Sequence, residues 1–300
     1  MDNIQLYPSK IRVELNDKAT KILFNLTPER FNQMLQQMSK QGVIEKRNHK
    51  KHGKIRSTFQ IFNENGYTLL LALDEFDRAV LAVCISEWDA GNRYITIPMI
   101  QRGLTGKIGK NKFKVYKDQE NAIKQSIDKL MATQYDSDIV DAFEKLNYTD
   151  ENGVVEKITK SALLPCKRVE KFINGQKVDD IIYFYDESPL HKVAELKNQI
   201  LRYDVELLDI PNLRNTPLVI MLKNYTMRRV VECKQHKMTP TITLDDVFTK
   251  CRITDKSRKT KMDARSTIDK LFAHLQDKKF IRSYQWNKKH AKIYSISFTF

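Results

Sequence analysis

The side chains in this sequence with the clearest chemical potential are cationic, and they are concentrated near the C-terminus. Between Thr254 and Lys292 lie twelve lysines and arginines but only four aspartates. Ammonium and guanidinium groups donate hydrogen bonds to phosphate oxygens, and guanidinium groups also pair with base edges. This segment therefore carries the donors that a polyanionic partner requires.

A helix is predicted over Lys256–Lys278, because Ile268, Leu271, Phe272 and Leu275 recur at helical spacing. Its first turns are crowded with basic residues, where the donors of a recognition helix reach base edges. The alternative is a solvated charged face, which surface helices commonly have. The candidate DNA contacts on this helix are Arg258, Lys259, Lys261, Arg265, Ser266 and Thr267.

The elements around this helix follow a recognisable order. Thr241–Leu244 is predicted as a strand, Asp245–Arg252 as a short helix, and Phe280–Trp286 and Ile293–Phe298 as the arms of a hairpin. Strand, short helix, longer helix and hairpin form the latter part of a winged helix-turn-helix, whose hairpin tip contacts phosphates. A solubilising turn is the alternative for that tip. The candidate contacts there are Lys288, Lys289, His290 and Lys292.

A second basic segment lies in the first half of the chain. Arg102–Lys117 contains six lysines and arginines and no acid, and it precedes a helix predicted at Tyr116–Thr133. The positions before and at the start of that helix would meet the phosphate backbone and the groove. The candidate contacts are Lys107, Lys110, Lys112, Tyr116, Lys117, Asn121 and Lys124.

The first half repeats the order of the second. A helix is predicted at Asp74–Ala90, a short strand at Tyr94–Ile97 and a short helix at Pro98–Gly103. After the long helix, Lys167–Ile173 and Lys177–Tyr185 flank an Asn-Gly hairpin turn. We therefore predict an α+β fold of two tandem winged-helix domains with an additional basic N-terminal region. The predicted segments are 1–66, 67–200 and 201–300.

Three further elements are predicted between the first hairpin and Thr241, and one near the N-terminus. These are a helix from Pro189 to about Leu201, a strand at Asp204–Asp209 and a helix at Leu218–Gln235. Near the N-terminus, a helix is predicted from Thr27 to Gly42. The basic tract that follows it extends to Arg56, and its stretch His49–Lys54 is either an additional DNA-contacting arm or a solvent loop.

Composition narrows the class of protein. The 300 residues carry a net charge of +15 and are 41% apolar, which favours packed domains with an anionic partner. No apolar run reaches the length of a membrane span, and the polar start is unlike a signal peptide, so we expect a cytoplasmic protein without a membrane partner. Four widely separated cysteines are expected to be buried free thiols.

Sequence motifs for catalysis or for a cofactor are not found. The segment Gly103–Lys110 is similar to a phosphate-binding loop, but Ile108 stands where the second glycine belongs. The six histidines show neither the paired spacing of a rolling-circle nickase nor the H-x-x-R of a tyrosine recombinase, and G-x-S-x-G and H-E-x-x-H do not occur. We therefore expect no enzyme activity, no cofactor and no metal.

Three short stretches resemble a known family. Phe76–Leu81, Gly91–Thr96 and Ile100–Lys107 resemble the first winged-helix domain of plasmid-type replication initiators, the Rep proteins. The likeness is mainly architectural and extends over Tyr67–Phe300. It implies binding to repeated origin sites in double-stranded DNA, local DNA opening, and recruitment of host helicase or primase. It also implies exchange between a homodimer and a monomer.

The resemblance leaves two other functions open. A winged-helix transcription regulator would read DNA in the same way as an initiator. A DNA-cleaving or strand-transfer enzyme is the alternative from another class.

Overall fold

The computed structural model describes residues 10–14, 44–47, 55–59, 73–107, 114–137, 161–174, 176–196, 200–253, 257–289 and 292–300. In these residues helices occur together with several small β-sheets, which confirms the mixed α and β class expected from the sequence. None of the helices in the described part of the chain combines the length and the apolar character that crossing a membrane requires.

The helices match the sequence-based predictions closely. Except for α4, their ends lie within two residues of the predicted ends. A 3-10 turn at Val205–Leu208 precedes the fifth helix. The helices of the described residues are α1 (Glu75–Asp89), α2 (Ile97–Thr105), α3 (Lys117–Ala132), α4 (Pro189–Leu196), α5 (Pro217–His236), α6 (Leu244–Lys250) and α7 (Arg258–Asp277).

The strands are short, except for those of two hairpins. The described strands are β1 (Lys10–Glu14), β2 (Ile44–Arg47), β3 (Ile55–Phe59), β4 (Tyr94–Thr96), β5 (Gln134–Ser137), β6 (Ser161–Ala162), β7 (Cys166–Ile173), β8 (Gln176–Phe184), β9 (Ile200–Asp204), β10 (Thr241–Thr243), β11 (Ser283–Lys289) and β12 (Lys292–Thr299).

The chain forms two compact units. Unit 1 comprises Met1–Val13, Asp74–Lys124 and Leu201–Phe300, and unit 2 comprises Glu14–Leu73 and Gln125–Ile200. Each unit thus combines segments that are separated in the sequence. The predicted domain segments, in contrast, are each contiguous in the sequence. This domain division stays a prediction.

Helix α1 lies at the centre of unit 1. It begins with a capping box, in which the Asp74 carboxylate accepts hydrogen bonds from the backbone N–H groups of Phe76 and Asp77, and the Asp77 carboxylate accepts one from the N–H of Asp74. Every residue from Glu75 to Glu87 is buried. A helix that is covered on all sides belongs to the core of its unit.

Two glycines allow α2 to pack closely within unit 1. A Cβ atom at Gly103 would come within 2.6 Å of a methyl group of Val83, so the glycine lets α2 approach α1. Gly106 ends α2 with a φ of 81°, in the left-handed region that favours glycine. A Cβ atom at this position would overlap the backbone of Leu208 and Asp209.

The C-terminal part of unit 1 is a three-stranded antiparallel sheet with α7 packed on it. The strand order is β10, β12, β11. The ring of Phe272 on α7 lies 5.5 Å from that of Tyr284 and 5.3 Å from that of Phe298. The other core residues of this region are Ala264, Ile268, Leu271, Leu275, Ile281 and Ile296.

Unit 2 contains a four-stranded sheet and the hairpin β7–β8. Strands β2, β3, β5 and β6 form the sheet in that order. Strands β7 and β8 pair from Cys166↔Phe184 to Ile173↔Gln176, with Asn174 in the left-handed region at the turn. This confirms the hairpin expected around Asn174.

One element prediction is wrong. The strand expected at Asp204–Asp209 is the 3-10 turn Val205–Leu208, and the strand lies just before it, at Ile200–Asp204. Leu207 and Leu208 are both buried, which a strand with one solvent face does not allow because its side chains alternate. The helix that begins at Pro189 correspondingly ends at Leu196 instead of about Leu201.

Two predictions lie outside the described residues. These are the helix from Thr27 to Gly42 and most of the basic tract that ends at Arg56. Within that tract, Ile44–Arg47 and the start of Ile55–Phe59 are strands.

Candidate nucleic-acid interface

Helix α7 presents a basic side to solvent. The Ser257 hydroxyl caps its N-terminus by accepting a hydrogen bond from the N–H of Thr260 at 3.2 Å. Arg258, Lys259 and Lys261 in the first turn are exposed, and within the described residues none of them forms an ion pair. The helix N-terminus adds partial positive charge at the same place. The first turn of α7 therefore attracts anions.

The other three candidates on α7 differ in accessibility. Ser266 is exposed and Arg265 is half-buried. Thr267 is 6% exposed, and its hydroxyl donates a hydrogen bond to the backbone carbonyl of Asp263 at 2.9 Å. The side chain of Thr267 is therefore the least accessible of the predicted contacts on this helix.

The hairpin β11–β12 is longer than the sequence suggests. Pairing continues to Lys289↔Lys292, beyond the predicted arms Phe280–Trp286 and Ile293–Phe298, and Lys288 lies in the strand with an exposed side chain. His290 falls outside the described residues. A bulge between Asn287 and Lys288 interrupts the register, and bulges increase strand twist locally.

Asp269 and Trp286 join α7 to β11, and sequence reasoning missed this contact. The indole N–H of Trp286 donates a hydrogen bond to the Asp269 carboxylate at 2.9 Å. The guanidinium of Arg265 lies over the Trp286 ring, 5.7 Å from its centroid. Burial and the neighbouring, hydrogen-bonded Asp269 carboxylate raise the pKa of Tyr284. Two features of the sequence could have indicated this contact. Arg265 and Asp269 are four residues apart, so they lie on one side of a helix, and Tyr284 and Trp286 are two residues apart, so they lie on one face of a strand.

The start of α3 carries a smaller exposed set. Tyr116 is 50% exposed, with the Lys114 ammonium 5.4 Å from its ring centroid. Lys117 and Asn121 are exposed one turn apart. Lys124 forms an ion pair with Glu120, which partly neutralises its charge.

Three further candidate DNA contacts follow α2 in the sequence, and the structure describes one of them. Lys107 is half-buried just after the end of α2. Lys110 and Lys112 fall outside the described residues.

Gln119 anchors the start of α3 within unit 1. Its amide oxygen accepts a hydrogen bond from the buried Gln101 side chain, and its amide nitrogen donates to the backbone carbonyl of Asn215. The same oxygen accepts from the N–H of Tyr116 at 3.3 Å. Because buried amides with several partners have few alternative arrangements, this network holds the backbone at the start of α3 in place.

A buried ionic network joins α1 to α5. The Arg228 guanidinium donates to both oxygens of Glu75, at 2.9 and 3.0 Å, and to Glu232 at 2.8 Å. Burial alone would raise the pKa of Glu232, but Arg228 and Arg229 reverse the effect and lower it. Arg228 and Glu75 are 153 positions apart in the sequence, so periodicity gave no indication of this pair.

Lys223 on α5 is a further buried cation of unit 1. It is 1% exposed, and its ammonium donates to the carbonyl of Leu208 at 2.8 Å. Burial lowers its pKa from 10.5 to about 7, while Asp209 opposes the shift and Lys107 adds to it. Because of its burial, Lys223 contributes to the packing of unit 1 and offers no contact to a partner.

The first of the three stretches that resemble Rep proteins is part of the core. All six side chains of Phe76–Leu81 are buried, including Arg78 at 2% exposure. This stretch therefore specifies packing, and the candidate contacts lie elsewhere in unit 1.

The four cysteines are free and buried, as expected. Burial raises the pKa of Cys166 to about 12, with Asp128 adding to the shift. A thiol with a raised pKa is a weak nucleophile and a weak metal ligand near neutral pH.

Comparisons of this chain with family models, with curated protein sequences and with solved structures find no match. Both exposed basic sets, at the start of α3 and on α7, belong to unit 1. Their exposed cations can bind phosphate oxygens. On α7 the guanidinium of Arg265, which lies over the Trp286 ring, accompanies these cations.

Proposed function

We propose that this protein is a non-enzymatic, sequence-specific double-stranded-DNA-binding protein that initiates replication of a plasmid or related mobile element. One observation carries the DNA-binding part of the proposal. The first turn of α7 exposes Arg258, Lys259 and Lys261, and within the described residues these cations have no ion-pair partner. Such cations gain most from a polyanion, since no internal contact has to be broken.

The topology of the C-terminal half supports a winged-helix module. The order α5, β10, α6, α7, β11, β12 with the sheet order β10–β12–β11 is the order expected of a winged helix in which α7 is the second helix of the helix-turn-helix and a hairpin follows it. In such modules the second helix enters the major groove and the hairpin lies on the phosphate backbone. The basic side chains of α7 and of Lys288 occupy those positions.

The element order of the first half supports a second module of the same kind. Helix α1, strand β4, helix α2 and helix α3 are followed by the hairpin β7–β8. In this interpretation α3 is a recognition helix. Tyr116, Lys117 and Asn121, which are exposed at its start, would contact bases or sugars.

The initiator role is supported by the resemblance to Rep proteins. Phe76–Leu81 and Gly91–Thr96 correspond to α1 and to the turn that leads into β4. By that resemblance the protein would bind repeated origin sites, exchange between homodimer and monomer, and recruit host helicase or primase.

Footprinting of the full-length protein on the DNA that flanks its own gene tests the proposal. Protection of several direct repeats beside an AT-rich segment is the expected result. Protection of a single palindrome over a promoter would instead identify a transcription regulator. Nicking of supercoiled DNA by the protein with Mg²⁺ would overturn the non-enzymatic part, and equal affinity for all duplexes would overturn sequence specificity.

A further inference from the structure

Arg265 differs from the other cations of α7 in its surroundings. Arg258, Lys259 and Lys261 are exposed, whereas Arg265 is half-buried with its guanidinium over the indole of Trp286. An arginine that rests on an aromatic face has fewer accessible rotamers than a solvated one. Its guanidinium is therefore held in one direction before any ligand arrives.

The indole is itself held in place. Its N–H donates to Asp269, which lies one helical turn after Arg265 on the same side of α7. Tyr284, two positions before Trp286 on β11, faces the same way and packs on Phe272 at 5.5 Å. Residues Ser283 and Gln285, on the opposite face of the strand, are exposed.

The contact is placed where it can affect base recognition. Phosphate contacts tolerate flexible side chains, because a point charge attracts from many directions. A bidentate contact to the O6 and N7 atoms of guanine requires a guanidinium in one plane and one orientation. Of the cations on α7, only Arg265 has such a fixed orientation among the described contacts.

We propose that Trp286 and Asp269 are positioning residues that orient Arg265 for reading a guanine in the target site. This inference rests on the proposed DNA-binding function and deepens it. Neither positioning residue needs to touch the DNA. Their effect is on the ratio between the affinity for the target site and the affinity for random duplex.

The test uses the full-length protein and a target duplex that it selects from a random double-stranded library. Fluorescence anisotropy measures the affinity for this duplex and for a scrambled duplex of equal length. We expect Arg265→Ala to reduce the affinity ratio by about 5- to 150-fold, as for the loss of one bidentate base contact. When the contacted G·C pair of the target duplex is replaced, the affinity of the Arg265→Ala variant should not fall further.

Trp286→Phe keeps an aromatic ring but removes the N–H donor, and we expect it to reduce the same ratio at least about threefold. Asp269→Ala should do likewise. Asp269→Asn keeps an oxygen acceptor for the indole and should retain the wild-type ratio. Trp88→Phe is the matched control, since Trp88 lies on α1 and stacks on Arg93 at 3.6 Å. It should leave the ratio unchanged.

Two readouts separate positioning from general damage to the fold. The double variant Arg265→Ala/Trp286→Phe should be no less selective than Arg265→Ala alone, because Trp286 acts through Arg265. The salt dependence of the affinity should be unchanged in Trp286→Phe, because every cation is kept. A full wild-type ratio in Trp286→Phe, or additive losses in the double variant, would overturn the inference while leaving DNA binding intact. A wild-type protein that enriches no duplex would overturn the proposed function and this inference together.

Discussion

At the scale of single residues, three basic side chains of unit 1 lie in three different environments. Lys288 is solvated, Arg265 lies on an indole, and Lys223 is enclosed in the core. The three environments imply three different measurable behaviours. A phosphate contact changes salt dependence, a base contact changes selectivity, and a buried amine changes stability with pH.

Lys288 should contribute to the affinity for every duplex alike. For Lys288→Gln we expect weaker binding to target and random DNA by the same factor, and a slope of log affinity against log salt that is less steep by about 0.9. Titrations at several salt concentrations measure both quantities. Arg202→Gln makes the same charge change at an exposed position of β9, which belongs to neither proposed recognition helix and to neither hairpin, and it should leave the slope unchanged. A selective loss for the target duplex would mean that Lys288 reads a base.

Lys223 should make the stability of the protein depend on pH. Its pKa is about 7 in the folded protein and 10.5 as its ordinary value, so between these pH values the unfolded chain binds more protons. The free energy of unfolding should therefore rise with pH in this window, by up to about 1.4 kcal/mol per pH unit from this group alone. Below pH 7 the amine is protonated in both states and its contribution no longer changes.

Urea denaturation between pH 7 and 9 measures this effect against Lys223→Met, which has no titrating group. The difference between wild type and variant should shift in favour of the wild type as the pH rises. A difference that stays constant across these pH values would show that the pKa of Lys223 is not lowered.

At the scale of elements, the end of α2 depends on the absence of a side chain. Gly106 has a positive φ and lies against the backbone of Leu208 and Asp209. Gly91, which follows α1, has a φ of 90° with nothing within 4 Å of the Cβ position. The two glycines thus share the backbone requirement but differ in steric surroundings.

Alanine at each position separates the two effects. Gly91→Ala should lower the free energy of unfolding by about 1 kcal/mol, because alanine in the left-handed region is strained. Gly106→Ala should lower it by about 1–3 kcal/mol more, because its methyl group displaces packed backbone. Chemical denaturation of both variants provides the comparison, and equal losses would contradict the close approach at Gly106.

Local elements followed from the sequence, and long-range contacts did not. The ends of helix α7 can be predicted to within two residues, because its apolar spacing and its capping region depend only on residues that are close in the sequence. The turn Val205–Leu208 cannot be predicted in the same way, because four residues are too short for a helical period. The candidate cations were found from charge alone, whereas the Trp286–Asp269 bond and the Arg228–Glu75 pair require knowledge of which elements meet.

At the scale of the whole molecule, the net charge of +15 favours association with any polyanion. If 6 to 10 phosphates are contacted, the affinity for duplex DNA should fall by about 10³–10⁵ between 50 and 200 mM salt. Titrations of the wild-type protein across this range test the prediction. An affinity that stays constant would show that the basic side chains of α3 and α7 do not meet the DNA backbone.

The burial of Phe76–Leu81 also bears on how relatives of this protein would be recognised. Because this signature consists of core residues, it specifies how the scaffold packs. It carries no information on any nucleotide sequence that the scaffold would bind. A chain could exchange every solvent-facing side chain of α7 and keep this signature intact. Searches with it would therefore gather proteins that share the packing of α1 but differ in the exposed surface of α7.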